Sequence, residues 1–171
     1  MARVRDGSVA AFQGLYERHH RALFNFLFRF LADRLTAEDL LQEAFLRVYL
    51  HRETYRPTAA FRTWLFTIAR NLALDHVRRR GIVQENVGEE ERVLATPDPA
   101  PGPLRRAEAG EELRRLEAAL HDLPPGQREV LLLSRYAGLS HTEIAEVTGS
   151  SPEAVRVALH RALRRLRDYL G

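Results

Sequence analysis

The sequence predicts an all-α fold of two small helical domains, an N-terminal three- to four-helix bundle and a C-terminal helix-turn-helix domain, joined by a flexible, acidic, proline-rich linker. Three observations predict it. Apolar residues recur at spacings of three and four through residues 9–80 and again from 111 onward, the period of helices that bury one face. Between these stretches, residues 82–109 lose the period and collect QENVGEEE and TPDPAPGP, with four of the chain's eight prolines between 97 and 103; such a composition cannot bury enough surface to fold alone. Near the C-terminus, SHTE, TGS and SP follow one another in the order cap, turn, cap.

At 171 residues, with 45% apolar and 29% charged side chains, the chain has a globular composition and room for one ordinary core or two small ones. In residues 9–32, Phe12, Leu15, Tyr16, Leu23, Phe26, Leu27, Phe30 and Leu31 define a first helix with a broad buried face. TAED at 36–39 matches a capping box, with Thr36 as N-cap and Asp39 reaching back, and opens a second helix buried through Leu40, Phe45 and Val48. A loop at 51–58 contains Pro57. A third helix from Ala59 to Arg80 turns Trp64, Leu65, Ile68, Leu72 and the stretch Asp75 to Val77 inward, with Gly81 as its stop.

Beyond the linker, EELRRLEAALHDL is a helix ended by Pro124 and Pro125, and GQREVLLLSRY a short apolar one. SHTE at 140–143 is a second capping box and opens a helix through Ile144, Ala145 and Val147. That helix stops at Thr148-Gly149-Ser150, and Ser151-Pro152 starts the last one with an N-cap and a proline at the first helical position. A helix, a tight glycine-containing turn and a capped basic helix have helix-turn-helix spacing. The chain thus divides into 1–81, 82–109 and 110–171.

Composition excludes several functions. There is no cysteine, and the seven histidines never fall into a ligand spacing. No paired-carboxylate or metal-ligand constellation marks an enzyme, and no cofactor is implied. The most apolar run, LFNFLFRFL, is too short to span a bilayer, and no signal-peptide pattern precedes it, so no membrane insertion and a cytoplasmic location are expected. All 26 basic residues are arginine. Residues 1–80 carry 14 of them against 8 acids, whereas 81–109 are net acidic and 152–171 net basic again. Two basic ends joined by an acidic middle fit a binder of nucleic acid.

On a helical wheel of 152–168, Val155, Leu159, Ala162 and Leu166 form one stripe, and Arg156, His160, Arg161, Arg164 and Arg167 point elsewhere. In helix-turn-helix geometry the first half of such a helix enters the major groove. The 29 residues from 81 to 109 extend to about 100 Å at ~3.3–3.6 Å each, against about 70 Å for two turns of duplex. The two basic ends therefore reach sites two turns apart.

The motifs AFQGLYERHH, AEDLLQEAFLRVY and FRTWLFTIARNLALDHVRRR, followed by LPPGQREVLLLSRYAGLSHTEIAEVTG and the basic helix, resemble, in order and over nearly the whole chain, the extracytoplasmic-function (ECF) sigma factors of bacterial RNA polymerase. The resemblance implies a promoter-specificity subunit, not an enzyme, that binds core polymerase at the β-prime clamp helices and the β flap, acts on promoter DNA and is held by an anti-sigma factor. It places Asp39, Gln42, Glu43 and Leu46 at the clamp-helix interface. It places Phe61, Arg62, Trp64 and Asn71 where the −10 element is melted and read, with Arg78, Arg79 and Arg80 on phosphates and the loop Thr54 to Phe61 around a flipped base. It gives the −35 element to Arg156, Val157, His160, Arg161 and Arg164, and runs the linker with Glu89 to Glu91 through the polymerase cleft. From the residues alone, Trp64 also fits a core position, and a stand-alone helix-turn-helix regulator remains the alternative. The −35 helix departs from the common pattern at Glu153-Ala154 and Val157-Ala158.

Overall fold

The computed structural model describes residues 1–56, 60–86 and 105–171, and every regular element among them is helical. The N-terminal bundle comprises α1 (Ala2–Arg5), α2 (Val9–Leu31), α3 (Arg34–Leu50) and α4 (Phe61–Asn86). The C-terminal half comprises α5 (Arg105–His121), α6 (Pro125–Leu132), a π-helical turn (Leu133–Ala137), α7 (His141–Thr148) and α8 (Pro152–Leu170). Of the expected flexible linker, residues 87–104 with Glu89 to Glu91 lie outside the described residues, as does Pro57 in the loop before α4. Its two ends belong to α4 and α5.

Local chemistry sets the ends of the helices. Ser8 Oγ accepts the Ala11 N–H at 3.2 Å and starts α2, supplying one of the acceptors that a first turn lacks. The expected cap at Thr36 is displaced: α3 begins at Arg34, and Asp33 is its N-cap. Asp33 Oδ1 accepts the Thr36 N–H at 3.2 Å and Oδ2 accepts the Thr36 hydroxyl at 2.9 Å. Thr36 thus becomes the residue being capped, because the carboxylate three positions earlier takes both of its donors. Gly81 does not stop α4 either; the helix continues to Asn86. A glycine inside a helix costs only about 1 kcal/mol relative to alanine, and it ends the helix only where the chain turns left-handed.

The bundle packs α2, α3 and α4 through Leu23, Phe26, Leu27, Phe30, Leu41, Phe45, Val48, Leu65, Phe66 and Leu72. Phe26 and Phe66 meet edge to face at 5.6 Å, worth about 0.5–1.5 kcal/mol beyond area burial. Three expected core positions are at least partly exposed. Tyr16 is exposed and stacks on the His20 ring at 5.0 Å. Val77 is half exposed, and Asp75 pairs with Arg78 instead of facing inward.

The C-terminal half follows its punctuation closely. SHTE forms the capping box, with Ser140 Oγ accepting the Glu143 N–H and Glu143 Oε2 accepting the Ser140 N–H at 2.8 Å. Gly149 turns the chain at φ 69°, and Ser151 Oγ then accepts the Ala154 N–H at 3.1 Å to start α8.

The two halves do not form separate cores. Val130, Leu132, Leu133, Ala137, Leu139, Ile144, Val147 and Val155 join the apolar cluster of the N-terminal bundle, and a smaller cluster of Leu120, Leu123, Leu131 and Ala162 closes the far side. Polar contacts fix the seam. Arg70 Nε donates to Glu129 Oε1 at 2.5 Å and Nη2 to Oε2 at 3.4 Å. Arg29 bonds Glu117 at 3.2 Å and lies 5.7 Å from the Tyr136 ring centre. Arg128 sits over Phe30 at 5.6 Å.

Candidate nucleic-acid interface

The last helix presents the clearest surface. Its caps orient α8 against α6 and α7, with Val155 and Ala162 buried and Leu159 and Leu166 half-buried, as the wheel predicts. Arg156, His160, Arg161 and Arg164 are all exposed, and Val157 is half-buried between them and the core. Arg164 lies 4.0 Å from Asp168, whereas Arg156 is held by Glu153 through two bonds, Nε to Oε2 at 3.2 Å and Nη2 to Oε1 at 2.5 Å. That hydrogen bond and the positive charge hold the Glu153 carboxyl below its ordinary pKa. His160 and Arg161 have no polar partner among the described residues. The surface is cationic, capped and free to meet a polyanion.

On α4, Trp64, Asn71 and Arg78 are seven residues apart and share one face. Asn71 and Arg79 are exposed, Arg78 reaches Asp75 at 3.3 Å, and Arg80 lies 3.8 Å from Asp33. Trp64 is half-buried, so neither of its two expected roles excludes the other. Its ring packs at 5.0 Å on the buried Tyr55 and at 6.2 Å on Phe61. His19 of α2 completes this aromatic group at 5.3 Å from Phe61. Burial, with Arg18 and Arg62 nearby, lowers the His19 pKa and keeps it neutral at pH 7. Tyr55 belongs to the loop expected around a flipped base, though it was not singled out there, and His19 was not expected at this face.

Arg62 stands apart from this face. It is half-buried with no partner for its Nε, and it lies at the seam, where a side chain at Gly138 would come within 3.4 Å of its Nη1. Gly138 is left-handed at φ 59°, a conformation that suits glycine.

On α3, Asp39, Gln42 and Leu46 share a face at helical spacing, and all three are exposed. Glu43 flanks them and bonds Arg47 at 2.8 Å. Leu35 and Leu50 extend the same face and are 74% and 61% exposed, with Leu46 at 51%. These two leucines are missing from the predicted set, although their spacing of four from Asp39 and Leu46 was available to find them.

Among the described residues no helix is long and apolar enough to cross a membrane, and no three acidic or histidine side chains stand together as a metal site.

Residues 15–82 match the family profile Sigma-70 region 2, and residues 113–166 match Sigma-70, region 4. The chain is 38% identical to the RNA polymerase sigma factor CarQ of Myxococcus xanthus, over 100% of its length and 95% of that protein. It is 36% identical to the ECF RNA polymerase sigma factor SigF of Caulobacter vibrioides, over 99% and 91%. The chain belongs to the ECF RNA polymerase sigma factors. As such it is a non-catalytic subunit of the polymerase that directs transcription initiation. Region 2 runs from within α2 through α3 and most of α4, and region 4 takes in the second half of α5, α6, α7 and α8 as far as Leu166. A stand-alone regulator leaves the region 2 match unexplained. The solved structure of CnrH in complex with the cytosolic domain of CnrY is similar in fold, with a TM-score of 0.75 and 28% identity over 99% of this chain and 93% of that one. This sigma factor therefore shares both halves, and their packing, with a relative of known structure.

Proposed function

We propose that this sigma factor divides promoter recognition between its ends, with residues 1–81 docking on core polymerase and melting and reading the −10 element, residues 82–109 linking, and residues 110–171 reading the −35 element. The observation that carries the proposal is the sidedness of α8: Val155 and Ala162 are buried, while Arg156, His160, Arg161 and Arg164 are exposed on the second helix of a capped helix-turn-helix. Arg156 and Arg161 are suited to purine edges or phosphates, and Val157 to a thymine methyl.

At the other end, Asp39, Gln42, Glu43 and Leu46 meet the β-prime clamp helices, the β flap receiving region 4. Phe61, Trp64 and Asn71 serve the unpaired −10 strand, since an aromatic face stacks on any base and an amide reads both donors and acceptors. Arg62 reaches the same strand only after turning out of the seam. Arg78, Arg79 and Arg80 hold phosphates. An anti-sigma factor is the expected partner of the resting protein; the relative CnrH was solved bound to the cytosolic domain of CnrY.

Run-off transcription with purified core polymerase and a promoter library randomised at −35 and −10 tests this directly. The expected result is enrichment of one sequence in each block, separated by about two turns of duplex. Polymerase binding with no selected −35 block would remove the role given to α8.

A further inference from the structure

Glu153 stands at the N-terminal end of the surface assigned to the −35 element. It is the only acid in the first turn of α8, and both of its oxygens are engaged by Arg156 three residues on. An acid near a helix N-terminus is ordinary, and an exposed pair at this spacing adds little to stability. The pair shares its two-point geometry with Arg70–Glu129, but unlike that largely buried pair it is open to solvent. The bonds use Nε and Nη2, one side of the guanidinium, and leave the Nη1–Nη2 edge free and directed away from the carboxylate. That edge is the fork that pairs with the O6 and N7 of guanine.

We propose that Glu153 is the positioning residue of the −35 contact: it aims the Arg156 fork at a guanine and, being negative beside the phosphates, lowers affinity for DNA of any sequence. The inference rests on the assignment of α8 to the −35 element. A long arginine side chain loses several rotamers on binding, and a carboxylate that already holds one side of the guanidinium removes part of that loss. The same carboxylate opposes the charge neutralisation that drives non-specific binding. Discrimination and affinity therefore move in opposite directions when Glu153 is changed, which a purely structural acid does not produce.

The experiment uses holoenzyme assembled from core polymerase and the full chain, with promoters varied one base pair at a time across the −35 element, and duplex lacking a promoter as the non-specific probe. In the wild type, one position selects guanine. Arg156→Ala abolishes the preference there and nowhere else. Glu153→Ala reduces the preference at that same position several-fold, tightens binding to the non-promoter duplex, and steepens its salt dependence by up to about 0.9 in log–log slope. Glu153→Gln, which keeps one acceptor, falls between Glu153→Ala and the wild type in base preference. Glu111→Ala, which breaks a similar exposed pair with Arg114 at 3.0 Å on α5, changes neither quantity. The proposal is overturned if Glu153→Ala keeps the full preference, alters a different position from Arg156→Ala, or weakens every duplex alike. A uniform loss with Arg156→Ala overturns it by a different route, showing that Arg156 anchors a phosphate and that the base-reading assignment has failed.

Discussion

Arg70 of α4 and Glu129 of α6 form a two-point ion pair across the seam between region 2 and region 4, with side chains only 19% and 11% exposed. Glu129 is one of two buried polar residues among those described. A pair withdrawn from water to this extent adds little net stability by its presence, but removal of one partner leaves the other stranded.

Glu129→Ala or Arg70→Ala is expected to cost about 3 kcal/mol in urea unfolding, the lower end for an orphaned buried charge. The seam caps that cost, since parting of the two halves lets water reach the orphan. Fluorescence energy transfer between labels in region 2 and region 4 is accordingly expected to fall in either single variant. Replacing both residues with leucine or methionine should lose less than the two single changes added together.

The helix caps of α3 and α7 make stability sensitive to acid. Hydrogen bonds from Ser140 hold the Glu143 carboxyl below its ordinary pKa, and the Thr36 N–H does the same for Asp33. Both folded pKa values are depressed, so the stability these groups contribute is complete above the unfolded carboxylate values of about 4. It disappears as pH falls through the lowered native values. Ser140→Ala should lower unfolding stability by about 1 kcal/mol at pH 7 and leave less to lose below pH 4. Thermal melts across this range check both.

The leucine stripe on α3 predicts a separation of binding from folding. Leu46→Arg, at an exposed position, should leave the melting temperature within about 2 °C, as expected for a surface change worth no more than about 0.5 kcal/mol. Affinity for core polymerase should fall tenfold or more, as loss of a buried apolar anchor implies. Reversing charge at Gln42 and Glu43 should act in the same direction. Pull-down with core polymerase and circular dichroism on the same samples measure the two effects.

For Arg78, Arg79 and Arg80, alanine substitution should weaken promoter binding with little change in −10 preference. The slope of log affinity against log salt should fall by about 0.9 for each phosphate that is no longer neutralised. A titration of holoenzyme on one promoter at several salt concentrations measures the slope.

Local signals in the sequence were sufficient at most points where the deciding interaction lies within four residues. The SHTE box, the Gly149 turn, the Ser151-Pro152 start and the apolar stripe of α8 all appear where they were expected. At TAED the same logic chose the wrong residue, because Asp33 and Thr36 both favour N-caps and only the geometry shows which one accepts. Gly81 failed as a stop because composition cannot report whether the chain turns left-handed there. The seam was illegible for a different reason. Arg70 and Glu129 are 59 positions apart, and Glu129 precedes the run VLLL with nothing in its neighbours to show that an arginine faces it. Of the candidate sites, the exposed face of α8 was readable from its period, whereas the turning of Arg62 toward Gly138 depends on the packing of two distant segments.

Trp64 is the only tryptophan in the chain, and it sits half-buried against Tyr55 and Phe61 on the face proposed to meet the −10 element. Its emission is therefore a signal from one address. A base sliding onto that ring, or a change in the aromatic group beneath it, will alter brightness and colour without an added dye, and Tyr55 at 5.0 Å is close enough to pass on light that it absorbs. Strand opening can be timed by the protein's own glow, provided that a core polymerase stripped of competing tryptophan signal, or one labelled to shift it, is used as the partner.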